Sequence, residues 1–227
     1  MTGSVRIVSD VVTRVILTGE KRNAFTPTLV EELLKTPCDG PIVFINEGPV
    51  FSAGLDLSVF LQDREVVLQY LFKIHDFVKK LLSCRGRLFA AVAGDVYGFG
   101  VEFLYFVDYV VALRGDLKFS LQGVNFGVFP PYTSSIGEYL FAPAHIRTMF
   151  MREFTAEEAR YIGLVSEIGQ FDYKKFFSPP DYVWEIVNRR ARLAEVVDRA
   201  VPYLYKLAEV GTRPETREKI RQFLRKS

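Results

Sequence analysis

LFAAVAGDVYGFGVEFLYFVDYVVAL, residues 88–113, is the longest apolar stretch in the chain, and its reading decides the fold. It is long enough to cross a bilayer, but Asp95, Glu102 and Asp108 fall inside it, and three carboxylates are costly in lipid. The stretch reads instead as a buried strand, LFAAVAG, a turn marked by Gly98 and Gly100, a buried helix, VEFLYFVD, and a further strand, YVVAL. The same order occurs upstream. PIVFIN, residues 41–46, has the continuous apolar character of a strand buried on both faces. It runs into the loop GPVFSAGLDL. Residues 57–84 then carry a long amphipathic helical pattern, with Val67, Leu71, His75 and Val78 close to one stripe.

The flanking segments extend the alternation. SVRIVSDVVTRVILT, residues 4–18, predicts two short strands with a turn near Ser9 and Asp10. Thr26 and Pro27 stand at the N-cap and first position of a helix running to about Lys35. LKFSL reads as a strand, and Thr155 with Glu158 forms a capping box for a helix that Gly163 stops. The segment VWEIVNRRARLAEVVDRAVPYLYKLAEV is helical with an interruption at Pro202, and Pro214 opens a last short helix. Strands alternate with helices through the first two-thirds and helices fill the rest, an α/β chain with a helical tail. Residues 1–170 are taken as the core and 171–227 as a C-terminal helical region of one functional unit.

Composition excludes several classes. With 29 basic and 27 acidic residues, the net charge of +2 gives no electrostatic case for general nucleic-acid binding. The N-terminus MTGSVRIVSD lacks the basic and apolar regions of a signal peptide. Cys38 and Cys84 have no metal-ligand spacing and suggest no disulfide framework, so a reduced, cytoplasmic setting is expected. His75 and His145 are isolated in sequence and are read as ordinary helix residues, with no metal site. Arg189, Arg190 and Arg192 are read as a solvated helix face.

The chemistry is sought in the loops after the two buried strands, because ligands gather at the carboxyl ends of strands in α/β sheets. Ser52, Ala53, Gly54, Gly98 and Gly100 are small and let a ligand approach the backbone. The second loop opens a helix, whose first N–H groups lack intrahelical partners and face developing negative charge favourably. One N–H from each loop would form an oxyanion hole. The alternative is that the glycines only permit a tight turn. Glu102 is either a proton-transfer acid with a pKa raised by burial or a helix-start acid.

Five motifs then point to a family. KRNAF (21–25), VFSAGLDL (50–57), FAAVAGDVYGFGVEFLYFVD (89–108), FSLQGVNFGVFP (119–130) and TAEEARYIGLVSEI (155–168) resemble, in order, conserved stretches of the crotonase superfamily, the enoyl-CoA hydratase and isomerase group. The resemblance covers roughly residues 5 to 170. It implies a crotonase-like spiral of ββα turns with a C-terminal helical region, assembly as a homotrimer or dimer of trimers, and an acyl-CoA substrate. Coenzyme A would enter as part of that substrate, with no separate cofactor. Carried over by position, the oxyanion-hole donors are Leu55 and Phe99, where most relatives have glycine at the second position, and Glu102 matches the first catalytic glutamate. Lys21 and Arg22 match a loop near the nucleotide, and the substrate and CoA contacts include Ala24, Ala53, Gly54, Asp56 and Gly98. Asp56 is also read as the cap of the next helix.

The chain departs from the family at the second glutamate. Gln122 and Gly123 occupy that place, no acid lies between Asp116 and Glu138, and glycine cannot exchange a proton. This counts against ordinary hydration and weakens the isomerase reading too. FSLQGVNFGV and the following Pro131-Tyr132 resemble methylmalonyl-CoA decarboxylase, which would make Tyr132 a donor to a substrate carboxylate. A CoA-binding or assembly-only relative without catalysis is the third reading.

Overall fold

The computed structural model describes residues 5–176, 183 and 189–225. Two sheets form its frame. The larger has six strands in the order β1 (Val5–Val8), β2 (Thr13–Leu17), β3 (Ile42–Asn46), β5 (Leu88–Val92), β7 (Tyr109–Ala112) and β10 (Glu167–Ile168). The smaller has β4 (Val50–Ser52), β6 (Asp95–Tyr97), β8 (Lys118–Ser120) and β9 (Phe154–Thr155). Only β1 on β2 and β9 on β8 run antiparallel; every other pairing is parallel.

The chain steps from the large sheet to the small one three times, at β3–β4, β5–β6 and β7–β8, and each step leads into helical structure. This is the ββα spiral expected from the sequence. The strands that the apolar runs predict, β3 and β5, lie at the centre of the large sheet and are buried along almost their whole length. The turn between β1 and β2, the Thr26 cap, the capping box of Thr155 with Glu158 and the helix opened by Pro214 all occur as the sequence indicates.

The helices are α1 (Pro27–Lys35), α2 (Arg64–Ser83), α3 (Phe99–Phe103), α4 (Pro131–Ile136), α5 (Pro143–Met151), α6 (Ala156–Tyr161), α7 (Arg189–Val196), α8 (Val201–Gly211) and α9 (Pro214–Leu224). The amphipathic pattern over 57–84 is split. Asp56 caps a 3-10 turn, Leu57–Leu61, and α2 begins only after Asp63. The tail helices pack α7 and α8 against α2. Pro202 lies in the first turn of α8, where its missing N–H costs no hydrogen bond. Of the helical reading that begins at Val183, residues 184–188 fall outside the described residues.

Two expectations are corrected. Cys38 and Cys84 are joined in a disulfide, with their Cα atoms 5.1 Å apart, which removes the ground for inferring a reduced setting from unpaired thiols. Arg190 is not solvated. It is 2% exposed, its Nε meets Asp108 Oδ1 at 2.8 Å, and its terminal nitrogens donate to the carbonyls of Leu81, Cys84 and Gly86. Arg189 likewise donates to the carbonyls of Leu104 and Val107. Of the three, Arg192 alone lies in an exposed position. His75 lies on a helix, as the sequence indicates; it is buried in α2 with hydrogen-bond partners on both ring nitrogens.

Candidate active site

The first bend follows β4. Lys21, Arg22 and Asn23 all take left-handed backbone angles, with φ of 44°, 56° and 57°, a conformation that costs energy in non-glycine residues. Side-chain bonds hold it. Asn23 accepts from the Gly19 N–H and donates to the Val50 carbonyl, while Ser52 Oγ donates to the Asn23 carbonyl and accepts from the Gly54 N–H. The KRN turn therefore clamps the FSAG loop, an arrangement completed by Ala53 N–H to Arg22 O and Phe25 N–H to Gly54 O. The Tyr70 hydroxyl bridges the Phe25 carbonyl and the Asp56 N–H, and burial pushes its pKa far above the ordinary phenol value.

The second bend follows β6. Gly98 has φ 52° and ψ −125°, a region open in practice only to glycine. The two bends touch at Gly54. A Cβ there would stand 2.8 Å from the Tyr97 carbonyl oxygen and 2.9 Å from Phe99 N, so only hydrogen lets the loops meet. Leu55 and Phe99, the two sequence-predicted donors, are thus carried on bends in direct contact. Leu55, Ala53 and Gly98 are half-buried, so solvent reaches this junction. Among the described residues no acceptor for the Leu55 or Phe99 N–H is found.

Glu102 lies on α3, and its carboxyl group is 0% exposed. Its Oε1 accepts from the Thr133 N–H at 2.7 Å and the Thr133 hydroxyl at 3.0 Å. Its Oε2 is buried without a partner. Burial raises the pKa from 4.5 to about 8, against the opposing effect of hydrogen bonds from Thr133 and the Tyr132 N–H. A buried oxygen without a partner, on a carboxyl whose pKa burial raises, is the kind of feature that marks a candidate functional group.

Tyr132 is brought to the same place but its hydroxyl is engaged. The oxygen meets His75 Nδ1 at 3.1 Å, and His75 Nε2 meets Asp198 Oδ1 at 3.0 Å. Lys79 also pairs with Asp198. The remaining sequence-predicted residues differ in exposure. Lys21 Nζ pairs with Asp56 Oδ2 at 2.8 Å, Arg22 is exposed, Ala24 is buried, and Asp56 caps its 3-10 turn by accepting from the Ser58 N–H. Gly123 lies in a 3-10 turn, Gln122–Phe126, and its carbonyl accepts from Val128. Thr133, Tyr70 and Asp198 escaped the sequence reading. A threonine two residues after a Pro-Pro pair carries no mark of a carboxylate partner 31 positions away.

A ββα spiral with two touching bends and a buried carboxyl behind one of them has the architecture of the crotonase superfamily. The model of the enoyl-CoA hydratase/isomerase family matches residues 9–172, and the chain belongs to that family. Hydroxycinnamoyl-CoA hydratase-lyase of Pseudomonas fluorescens is 26% identical over 178 residues, which are 70% of this chain and 64% of that protein's length. Solved structures share the fold. An enoyl-CoA hydratase from Mycobacterium avium superposes with a TM-score of 0.75 at 21% identity, covering 100% of this chain and 98% of the other. An enoyl-CoA hydratase/isomerase from Pseudoalteromonas atlantica gives 0.79 at 20% identity, covering 98% and 97%.

Proposed function

We propose that the chain acts on an acyl-CoA thioester, holding the thioester oxygen on the N–H groups of Leu55 and Phe99 while Glu102 moves a proton on the acyl group. The observation that carries this reading is the partnerless, fully buried Oε2 of Glu102, with a pKa of about 8, on the short helix that the second bend opens. The carboxylate takes a proton from an acyl carbon. The C–H electron pair becomes a carbon–carbon double bond, and negative charge moves to the thioester oxygen between the two amides. Return of the same proton at another carbon completes an isomerisation with nothing else consumed. Ordinary hydration fits less well, because Gly123 replaces the second acid that would help position a water.

Support for the substrate class comes from the family and from the relative named for hydroxycinnamoyl-CoA. Lys21 and Arg22 are exposed, and their charges suit the phosphates of coenzyme A. Assembly as a homotrimer or a pair of trimers belongs to the same proposal. A decarboxylase that uses the Tyr132 hydroxyl to hold a substrate carboxylate would first have to break the bond to His75, so this reading is disfavoured.

The test is conversion of 3-enoyl-CoA to 2-enoyl-CoA, followed by absorbance of the conjugated thioester. The Glu102→Gln variant should lose about 100-fold or more in rate. Binding of acyl-CoA without any turnover by the wild type would leave a CoA-binding protein and overturn the catalytic role.

A further inference from the structure

We infer that Phe99 is a specificity-determining residue, whose ring restricts the substrate to short-chain thioesters of acetyl to butenoyl size. The inference rests on the functional reading above and names the substrate class within it. Phe99 and Glu102 are three apart on α3 and so project from neighbouring positions of one helical turn. The Phe99 ring stands edge-on to Phe25 at 4.8 Å and tilted against Tyr132 at 5.9 Å. Tyr132 is in turn edge-on to Phe106 at 5.2 Å. Tyr132 also directly precedes Thr133, whose N–H and hydroxyl bind the Glu102 carboxyl. The Phe99 ring therefore packs against the side chain next to the residue that holds the Glu102 carboxyl.

These rings are locked. Phe25, Phe99, Tyr132 and Phe106 are all buried, and the Tyr132 hydroxyl is tied to His75. A thioester with its oxygen on the Phe99 N–H and its reacting carbons near Glu102 Oε2 would run its next carbons into this wall. A small acyl group ends before it. A longer chain must displace an aromatic side chain from a close-packed core. With hydrogen at position 99 the same wall would have a gap the width of a phenyl ring. In a tight apolar pocket one methylene changes discrimination by about 10-fold or more, so several unfitting methylenes suffice for a sharp cut-off.

Titration calorimetry with free CoA and with acetyl-, butyryl- and octanoyl-CoA tests this on the full chain. The wild type should bind butyryl-CoA at least about tenfold more tightly than octanoyl-CoA. In Phe99→Ala the octanoyl deficit relative to butyryl-CoA, measured in the same variant, should shrink by about tenfold. Phe99→Leu, which keeps most of the core volume, should shrink it less and serves if the alanine variant does not fold. Equal binding of butyryl- and octanoyl-CoA by the wild type, or an unchanged ladder in both variants, would refute the restriction and leave the thioester reading standing. Binding of no CoA species at all would refute both.

Discussion

Asp108 and Glu102 are both withdrawn from water, and they are treated in opposite ways. Asp108 is saturated. One oxygen accepts from Arg190 Nε and the other from the Leu88 N–H, while the remaining Arg190 nitrogens reach three carbonyls. Glu102 is saturated on one oxygen and bare on the other. A buried charge is tolerated when every hydrogen-bonding position is filled; an empty one carries a desolvation penalty of a few kcal/mol that packing alone does not explain. The Arg190–Asp108 pair ties the C-terminal helices to the end of α2 and the start of β5. Glu102 keeps an open valence beside the loop junction, where a substrate could fill it. The first is architecture; the second fits the acid–base role proposed for Glu102.

The largest effect should come from breaking the saturated centre. Arg190→Met leaves Asp108 charged and nearly unpaired in the interior, at a cost of about 3–5 kcal/mol read from the urea midpoint. Adding Asp108→Asn should recover part of that loss, because the uncompensated charge disappears. If Arg190→Met unfolds no more easily than the wild type, the pair is not the structural tie described.

Glu102 should show the reverse sensitivity. Its folded-state pKa lies above the unfolded value, so the folded protein binds more protons than the unfolded chain between pH 4.5 and about 8. Stability from this group is fully present below pH 4.5 and is lost as the pH rises through about 8, a change of up to a few kcal/mol. Glu102→Gln has no such titration. Its unfolding free energy, measured from pH 5 to 9, should therefore lack that component of the wild-type decline. Activity should behave oppositely, rising in the wild type toward pH 8 as the carboxylate forms. A smaller effect is expected for Thr133→Val. It removes the hydroxyl donor to Oε1 but keeps the N–H, so it destabilises the carboxylate by about 1 kcal/mol. The rising limb of the activity profile, which the Glu102 carboxylate governs, should move up by somewhat under one pH unit.

How far the two centres were legible from sequence follows from the distances along the chain. The strands β3 and β5 announce themselves because burial on both faces demands continuous apolar runs, and the caps at Thr26 and Thr155 are signalled within four residues. Glu102 was legible because a lone acid interrupts an apolar run beside glycines. The strands β4 and β6 were not, since three residues are too few to show a period and both sit in glycine-rich loops. Arg190 looked like one member of a basic surface run. Only the fold brings Asp108 and three carbonyls around it, from positions more than 80 residues away. Cys38 and Cys84 are separated by 46 residues, and His75 and Asp198 by 123; pairings of that reach leave no local trace.

An exposed carboxylate supplies the lower limit of the comparison. Glu158 shares with Glu102 a position in the first turn of a helix, yet its pKa is lowered to about 2 by its hydrogen bonds from Arg152 and the Thr155 N–H. It contributes stability present above pH 4.5 and lost as the pH falls through about 2, the opposite sign to Glu102. The magnitude is nonetheless small, because water screens the Arg152 pair at the surface. Glu158→Gln keeps the side-chain oxygen that completes the capping box and removes only the charge. At pH 7 it should cost no more than about 0.5 kcal/mol, and added salt should shrink even that. A loss as large as that at Arg190 would mean that surface charge, rather than the completeness of buried hydrogen bonding, governs the stability of this fold.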